Sequence, residues 1–102
     1  MKAGLTPEAD HDLQEALRWY DARDRELGDD FLMKVNDSIT SIEKHPEQFP
    51  VVHRLMRRAL VRRFPYEILY EIEKEEIVIY AIWHCARNPE RWKRRKKKES
   101  AN

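Results

Sequence analysis

Glycine is nearly absent from this chain: Gly4 and Gly28 are the two in 102 residues. With only five prolines beside them, little of the sequence is available for loops. Cysteine is scarcer still, since Cys85 stands alone. One thiol cannot close an internal disulfide, which fits a reducing compartment. Long apolar runs are missing too. Nothing approaches the roughly 20 apolar residues that a membrane span requires. The opening MKAGLTPEAD lacks the apolar stretch of a secretory signal. The cytoplasm is therefore the expected location. The four histidines, at 11, 45, 53 and 84, show no i, i+4 pairing. That leaves no metal-ligand pattern, so neither a metal nor another cofactor is expected.

Charge is what the chain has in quantity. Charged residues make up 38% of it and hydrophobic ones 41%, which suits a soluble globular protein. Its length allows one domain, and a domain this small buries only about 60–65% of its unfolded surface. The net charge of +1 conceals an asymmetry. Residues 1–50 carry 6 Lys/Arg against 12 Asp/Glu, and residues 51–102 carry 14 against 7. Halves of opposite sign point to a polyanion target, an acidic protein partner, or packing of one half on the other. Two separately solvated faces would give the same count.

Hydrophobic spacing predicts the elements. Lys2 to Leu5 can be at most a short edge strand. Thr6-Pro7-Glu8 opens a helix, with Thr6 as N-cap, Pro7 in the first turn and Glu8 complementing the dipole. Ala9, Leu13, Ala16, Leu17 and Tyr20 recur at helical spacing, with Asp12, Glu15 and Arg18 on the opposite face. This helix should run to about Leu27, with Gly28 as C-cap. Asp29 or Asp30 would cap a second helix striped by Phe31, Leu32, Val35, Ile39 and Ile42. His45-Pro46 ends it, because proline disfavours helix in the residue before it. So short a connection predicts an antiparallel helical hairpin.

Residues 46–53 read as an extended loop. A strand follows within 55–63, another over 66–72, a turn at Glu73-Lys74-Glu75-Glu76, and a last strand over 77–84. Tyr66, Ile68, Tyr70 and Ile72 share one face of their strand, and Glu67, Leu69 and Glu71 share the other. The 77–84 strand is apolar on both faces, which marks a central strand covered on both sides. Asn88-Pro89-Glu90 starts a short helical tail through Trp92. The basic run at 93–98 reads as a frayed terminus. The expected class is α+β, in the order (β)-α-α-β-β-β, with the hairpin packed on a small antiparallel sheet. A single domain over 1–95 and a disordered basic tail over 96–102 are expected.

Residues 57–92, RRALVRRFPYEILYEIEKEEIVIYAIWHCARNPERW, hold the chemistry. Five arginines between 54 and 63 favour recognition of carboxylate or phosphate, because guanidinium binds both in a bidentate manner. Pairing with acids of the first helix, or with Glu67 and Glu71 across the sheet, is the structural alternative. His84, at a strand end, is either a half-buried hydrogen-bonded residue or a base. Cys85 reads as a packed thiol. Trp92 sits in a charged tail, so it must fold back on the domain, stack on Arg87 or Arg91, or meet a partner.

The chain resembles the RelE/ParE superfamily of type II toxin–antitoxin toxins. The resemblance rests on Leu5-Thr6-Pro7-Glu8-Ala9, Trp19-Tyr20, Pro46, Arg62-Arg63-Phe64-Pro65-Tyr66, Leu69-Tyr70, and the ending His84-Cys85-Ala86-Arg87-Asn88-Pro89-Glu90-Arg91-Trp92. It spans about residues 5–95, and the order and spacing of the pieces are those of the ParE-like side. What it implies is a cytoplasmic growth-inhibiting toxin, neutralised by a cognate antitoxin whose partly disordered segment folds across it in a hetero-oligomer. ParE-like members block DNA gyrase; RelE-like members cleave mRNA on the ribosome without a metal.

Metal-free RNA cleavage needs a base, an acid and cations for the phosphate in flight. Arg62, His84 and Arg87 are the candidates for it. Ribonucleases of the superfamily commonly begin the third strand Tyr-Arg-Leu-Val-Tyr, and that arginine serves the active site. Here the stretch is Tyr66-Glu67-Ile68-Leu69-Tyr70, which puts a carboxylate where a cation would stand. The expectation is therefore a non-catalytic inhibitor acting on gyrase, with a RelE-like endoribonuclease as the alternative. A non-toxic module that binds nucleic acid or protein is a third reading. Arg57, Arg58, Arg62, Arg63, Leu69, Arg87, Arg91 and Trp92 are the expected partner- or target-binding residues, with no membrane association.

Overall fold

The computed structural model describes residues 1–96. Its order is β1 (Lys2–Leu5), α1 (Pro7–Arg23), α2 (Arg25–Lys44), a short 3-10 turn (Pro46–Gln48), β2 (Val51–His53), β3 (Met56–Leu60), β4 (Tyr66–Glu73), β5 (Glu76–His84) and α3 (Glu90–Lys93). The five strands form one sheet in the order β1-β5-β4-β3-β2. The pairs β2–β3, β3–β4 and β4–β5 are antiparallel, as expected. β1 pairs parallel to β5, so the sheet is mixed rather than wholly antiparallel. The crossover between those two runs through the helices and the other strands. The extended 46–53 segment also yields an edge strand, β2.

Thr6 caps α1 as predicted: its side chain accepts from the Ala9 N–H at 3.1 Å. The helical break falls four residues earlier than expected. Asp24 is at once the C-cap of α1, donating its N–H to Tyr20 O, and the N-cap of α2, accepting from the Glu26 N–H. An aspartate that serves both helices makes a one-residue connection. Gly28 is thus no C-cap. It lies buried inside α2, where an added Cβ would meet the Asp21 side chain of α1 at 1.7 Å. The absent side chain lets the two helices approach closely.

The core has two parts. The larger lies between the helical hairpin and the sheet, and joins Ala9, Leu13, Ala16, Tyr20, Phe31, Val35 and Ile42 to Ile68, Tyr70, Ile77, Ile79 and Ile82. Tyr20, Phe31, Phe64 and Tyr66 meet largely edge to face within it. The smaller lies on the other face of the sheet and holds Met56, Leu69, Tyr80, Ala81, Trp83 and Trp92. A register shift against Leu69/Tyr70 leaves Tyr80 as the extra residue of β5. Ile77 and Ile79 face the helices, Tyr80 and Ala81 both face away, and Ile82 faces the helices again. This bulge makes β5 apolar on both faces without a strict alternation.

The tail is not frayed where it is described. Trp92 folds under the sheet, is 4% exposed and meets His53 edge to face. Arg95 donates to both Asp12 oxygens, at 2.6 and 3.1 Å, and to Tyr80 O. Lys96 bonds Glu71 at 2.5 Å and Glu73 at 2.7 Å. Lys97 and Lys98, the rest of the basic run, lie outside the described residues. Asp12, expected on the solvent face of α1, is therefore buried. No helix among the described residues is long and apolar enough to cross a membrane.

Candidate functional site

The arginines of the β3 region divide by strand alternation. Arg57 turns toward the helix side and donates to the carbonyls of Glu47 and Phe49, at 3.1 and 2.7 Å. It fastens the loop before β2 and is a structural residue. Arg58, opposite Leu69, turns to the other face and stands 3.8 Å from Glu67. Arg62 and Arg63 are exposed in the turn at 61–65. Arg63 adopts a φ of 70°, a left-handed conformation uncommon outside glycine. It stands close enough to Asp30 to help hold that carboxyl below its ordinary range, after the hydrogen bond from Lys34.

Exposed apolar side chains lie among these arginines. Leu55 is 73% and Leu60 61% exposed, with Val51 and Val52 on the neighbouring edge strand. Arg54, Arg58, Arg62 and Arg63 are exposed around them. The β2–β3 edge is thus basic and apolar together.

Glu67 sits on β4 between Leu60 of β3 and Trp83 of β5, and is buried. Burial raises its pKa; the Arg58 charge pulls the other way without cancelling the effect. Leu69, expected on an accessible face, is fully buried in the smaller core beside Trp92. Neither Leu69 nor Trp92 offers a free contact surface. The sequence could not show this, because the cover arrives from residues 92–96.

His84 is half-buried. Its Nδ1 accepts from the Ala86 N–H at 3.0 Å, which places any neutral-ring proton on Nε2, and its ring meets Tyr66 edge to face. The Arg87 guanidinium lies 4.0 Å above the Trp83 ring. His84 and Arg87 share a cleft of about 680 Å³ with Tyr66 and the α1 residues Arg18, Trp19 and Tyr20. Arg62 lines a different depression, of about 230 Å³, against Lys34, Asp37 and Ser38 of α2. Among the described residues, Arg62 thus lines one depression, and His84 and Arg87 line another. Arg91 is exposed on α3. Cys85 is exposed rather than packed, and desolvation with the nearby Glu67 charge raises its thiol pKa. Both push against a reactive thiolate.

The family model "ParE toxin of type II toxin-antitoxin system, parDE" matches residues 4–89, which include both helices and all of β2–β5. The chain belongs to the ParE toxin family. It is the toxin component of a type II toxin–antitoxin system. No curated protein matches it. Among solved structures it is similar to one described as "Chromosomal ParDE TA system from P. aeruginosa". That likeness has a TM-score of 0.73 at 18% identity, over 82% of this chain and 95% of the other, and concerns the fold.

Proposed function

We propose that this toxin arrests growth by binding DNA gyrase, without catalysing RNA cleavage, and that a cognate antitoxin silences it through the β2–β3 edge. The observation that carries the first part is the separation of Arg62 from His84 and Arg87, with a buried carboxylate, Glu67, on the sheet face beside Arg58. A carboxylate there opposes a phosphate that is gaining charge. The second part rests on the mixture at the edge. Leu55, Leu60, Val51 and Val52 give apolar contact, and the neighbouring arginines give bidentate partners for carboxylates. An amphipathic acidic segment matches both. Toxin and antitoxin then form a hetero-oligomer in the cytoplasm.

One preparation serves both mechanisms. Loss of gyrase supercoiling with intact mRNA in a ribosome assay supports the inhibitor; cleaved mRNA with normal supercoiling overturns it. A plain nucleic-acid-binding module gives neither result, only salt-sensitive affinity. For the antitoxin, reversal of charge at Arg58 and Arg62 should abolish co-purification with the neighbouring gene product. Undiminished binding would remove that edge from the interface.

A further inference from the structure

The cleft beside α1 has a wall that the proposed function does not use. β1 ends at Leu5, and the last backbone bond it shares with β5 runs from the Thr6 N–H to Ile79 O at 3.0 Å. Among the described residues, no strand lies beside the outer edge of β5 from Tyr80 to His84. Two of its polar groups are met from elsewhere. The Ile82 N–H donates to Asp12 Oδ2 at 3.1 Å, and Tyr80 O accepts from Arg95 at 2.8 Å. Two others are left. In an antiparallel pair, N–H and C=O groups alternate between the two sides of the strand. The Cys85 N–H points to Pro65 O across the sheet, so Ile82 and His84 point outward. The Arg87 N–H covers His84 O. The Ile82 C=O and the His84 N–H find no such partner among the described residues. An acceptor and a donor two residues apart on a strand edge match one more extended backbone.

The cleft in front of them has suitable walls. Trp19 is half exposed and held by Arg23, whose guanidinium lies 3.5 Å from the ring centroid. Tyr20 is only 8% exposed, and its ring and that of Tyr66 line the cleft. The charges are of both signs: Arg18 and Arg87 stand with Glu15 and Asp12. Carboxylates in the wall disfavour a polyphosphate chain, whereas a peptide accepts mixed charges. At about 680 Å³ the cleft lies within the size range of ligand pockets.

We propose that this cleft is a docking site for an extended peptide segment of a protein partner. The segment adds to the outer edge of β5 through the Ile82 C=O and the His84 N–H. It sets an apolar or aromatic side chain against Trp19, Tyr20 and Tyr66, with carboxylates reaching Arg18 and Arg87. The site lies at the opposite side of the sheet from the arginine edge of β2–β3, so one partner can use both or two partners one each.

The test titrates the full chain, labelled with ¹⁵N, with a capped pentapeptide of sequence EVYVE, and separately with adenosine monophosphate at the same concentrations. The peptide should move the His84 amide and the Trp19 indole signals in a saturable way. Replacing Trp19→Ala together with Arg87→Ala, both exposed, should weaken that binding at least about tenfold. The thermal midpoint of the double variant shows that it is folded. Glu15→Gln, at the rim, provides a second folded variant and should tighten the acidic peptide. A still His84 amide overturns the proposal. So does an equal response to the nucleotide, or movement confined to Arg58 and Leu60 on the other edge. None of these outcomes depends on whether the toxin inhibits gyrase.

Discussion

Asp12→Ala is the perturbation that most sharply tests how the chain holds its own end in place. Asp12 is buried on α1 and accepts three hydrogen bonds: one from the Ile82 N–H and two from the Arg95 guanidinium. Its loss leaves the Ile82 amide without a partner, a cost of about 1–3 kcal/mol for a buried donor. It also leaves Arg95 with only the Tyr80 carbonyl and the Trp83 face, 5.0 Å away. Removing one member of a buried ion pair costs about 3–5 kcal/mol. The Arg95 side chain keeps 18% exposure and lies near the chain end, so it can swing into water. The lower figure, about 3 kcal/mol in all, is therefore expected. With a urea slope of about 1.2 kcal/mol/M, the midpoint falls by about 2–3 M, and the melting temperature by about 12–24 °C. Far-UV circular dichroism in urea measures this, given a two-state transition. Arg95→Met supplies the other corner of a double-mutant cycle, in which a coupling above about 1 kcal/mol is expected. A loss below about 1 kcal/mol for Asp12→Ala, or strict additivity with Arg95→Met, would show that the tail is not fastened this way.

Four further outcomes follow from buried polar groups and the second core. Glu67 is protonated more readily folded than unfolded, because burial raises its pKa. Its ionisation therefore costs stability as the pH rises past the ordinary carboxylate range. Glu67→Gln should raise the melting temperature at pH 7 and converge with the parent toward pH 4; a less stable glutamine variant at pH 7 would mean that Arg58 outweighs desolvation. The Tyr70 hydroxyl donates to Pro46 O at 2.6 Å, and burial pushes its pKa up to about 12. Tyr70→Phe should cost about 1 kcal/mol in urea and remove a phenol that ionises at about pH 12 in an alkaline absorbance titration. Glu73 is desolvated, which alone would raise its pKa, but hydrogen bonds from Lys96 and Tyr80 bring it below the ordinary value. The stability it contributes is present above that value and fades as the pH falls through the lowered one. Lys96→Ala should remove part of that acid dependence, and an unchanged pH profile of the urea midpoint would contradict the pairing. Trp92→Ala uncovers Leu69 and Trp83 and should cost about 3–5 kcal/mol, with new binding of a hydrophobic dye as the second readout.

Much of this protein is determined locally and could be read from residues alone. Thr6-Pro7-Glu8 opens a helix wherever it stands, because the cap, the fixed φ and the dipole act within one turn. The stripe Phe31, Leu32, Val35, Ile39, Ile42 and the alternation at 66–72 define which faces are buried. The features behind the family resemblance, including Tyr66 and His84-Cys85-Ala86-Arg87, are equally visible in order. Other decisions required the folded chain. Asp24 outcompeted Gly28 as the helix boundary, because one side chain could satisfy α2 while its backbone closed α1. Asp12 looked like a solvent residue until Arg95, 83 positions away, met it. Leu69 looked accessible until Trp92 covered it, and Arg62 looked like a companion of His84 until the turn at 61–65 set it against α2. Local sequence fixes the period of an element and its caps, since those interactions span a few residues. Which polar groups are buried, paired or left open at a sheet edge depends on contacts dozens of residues apart, and only the tertiary structure decides them.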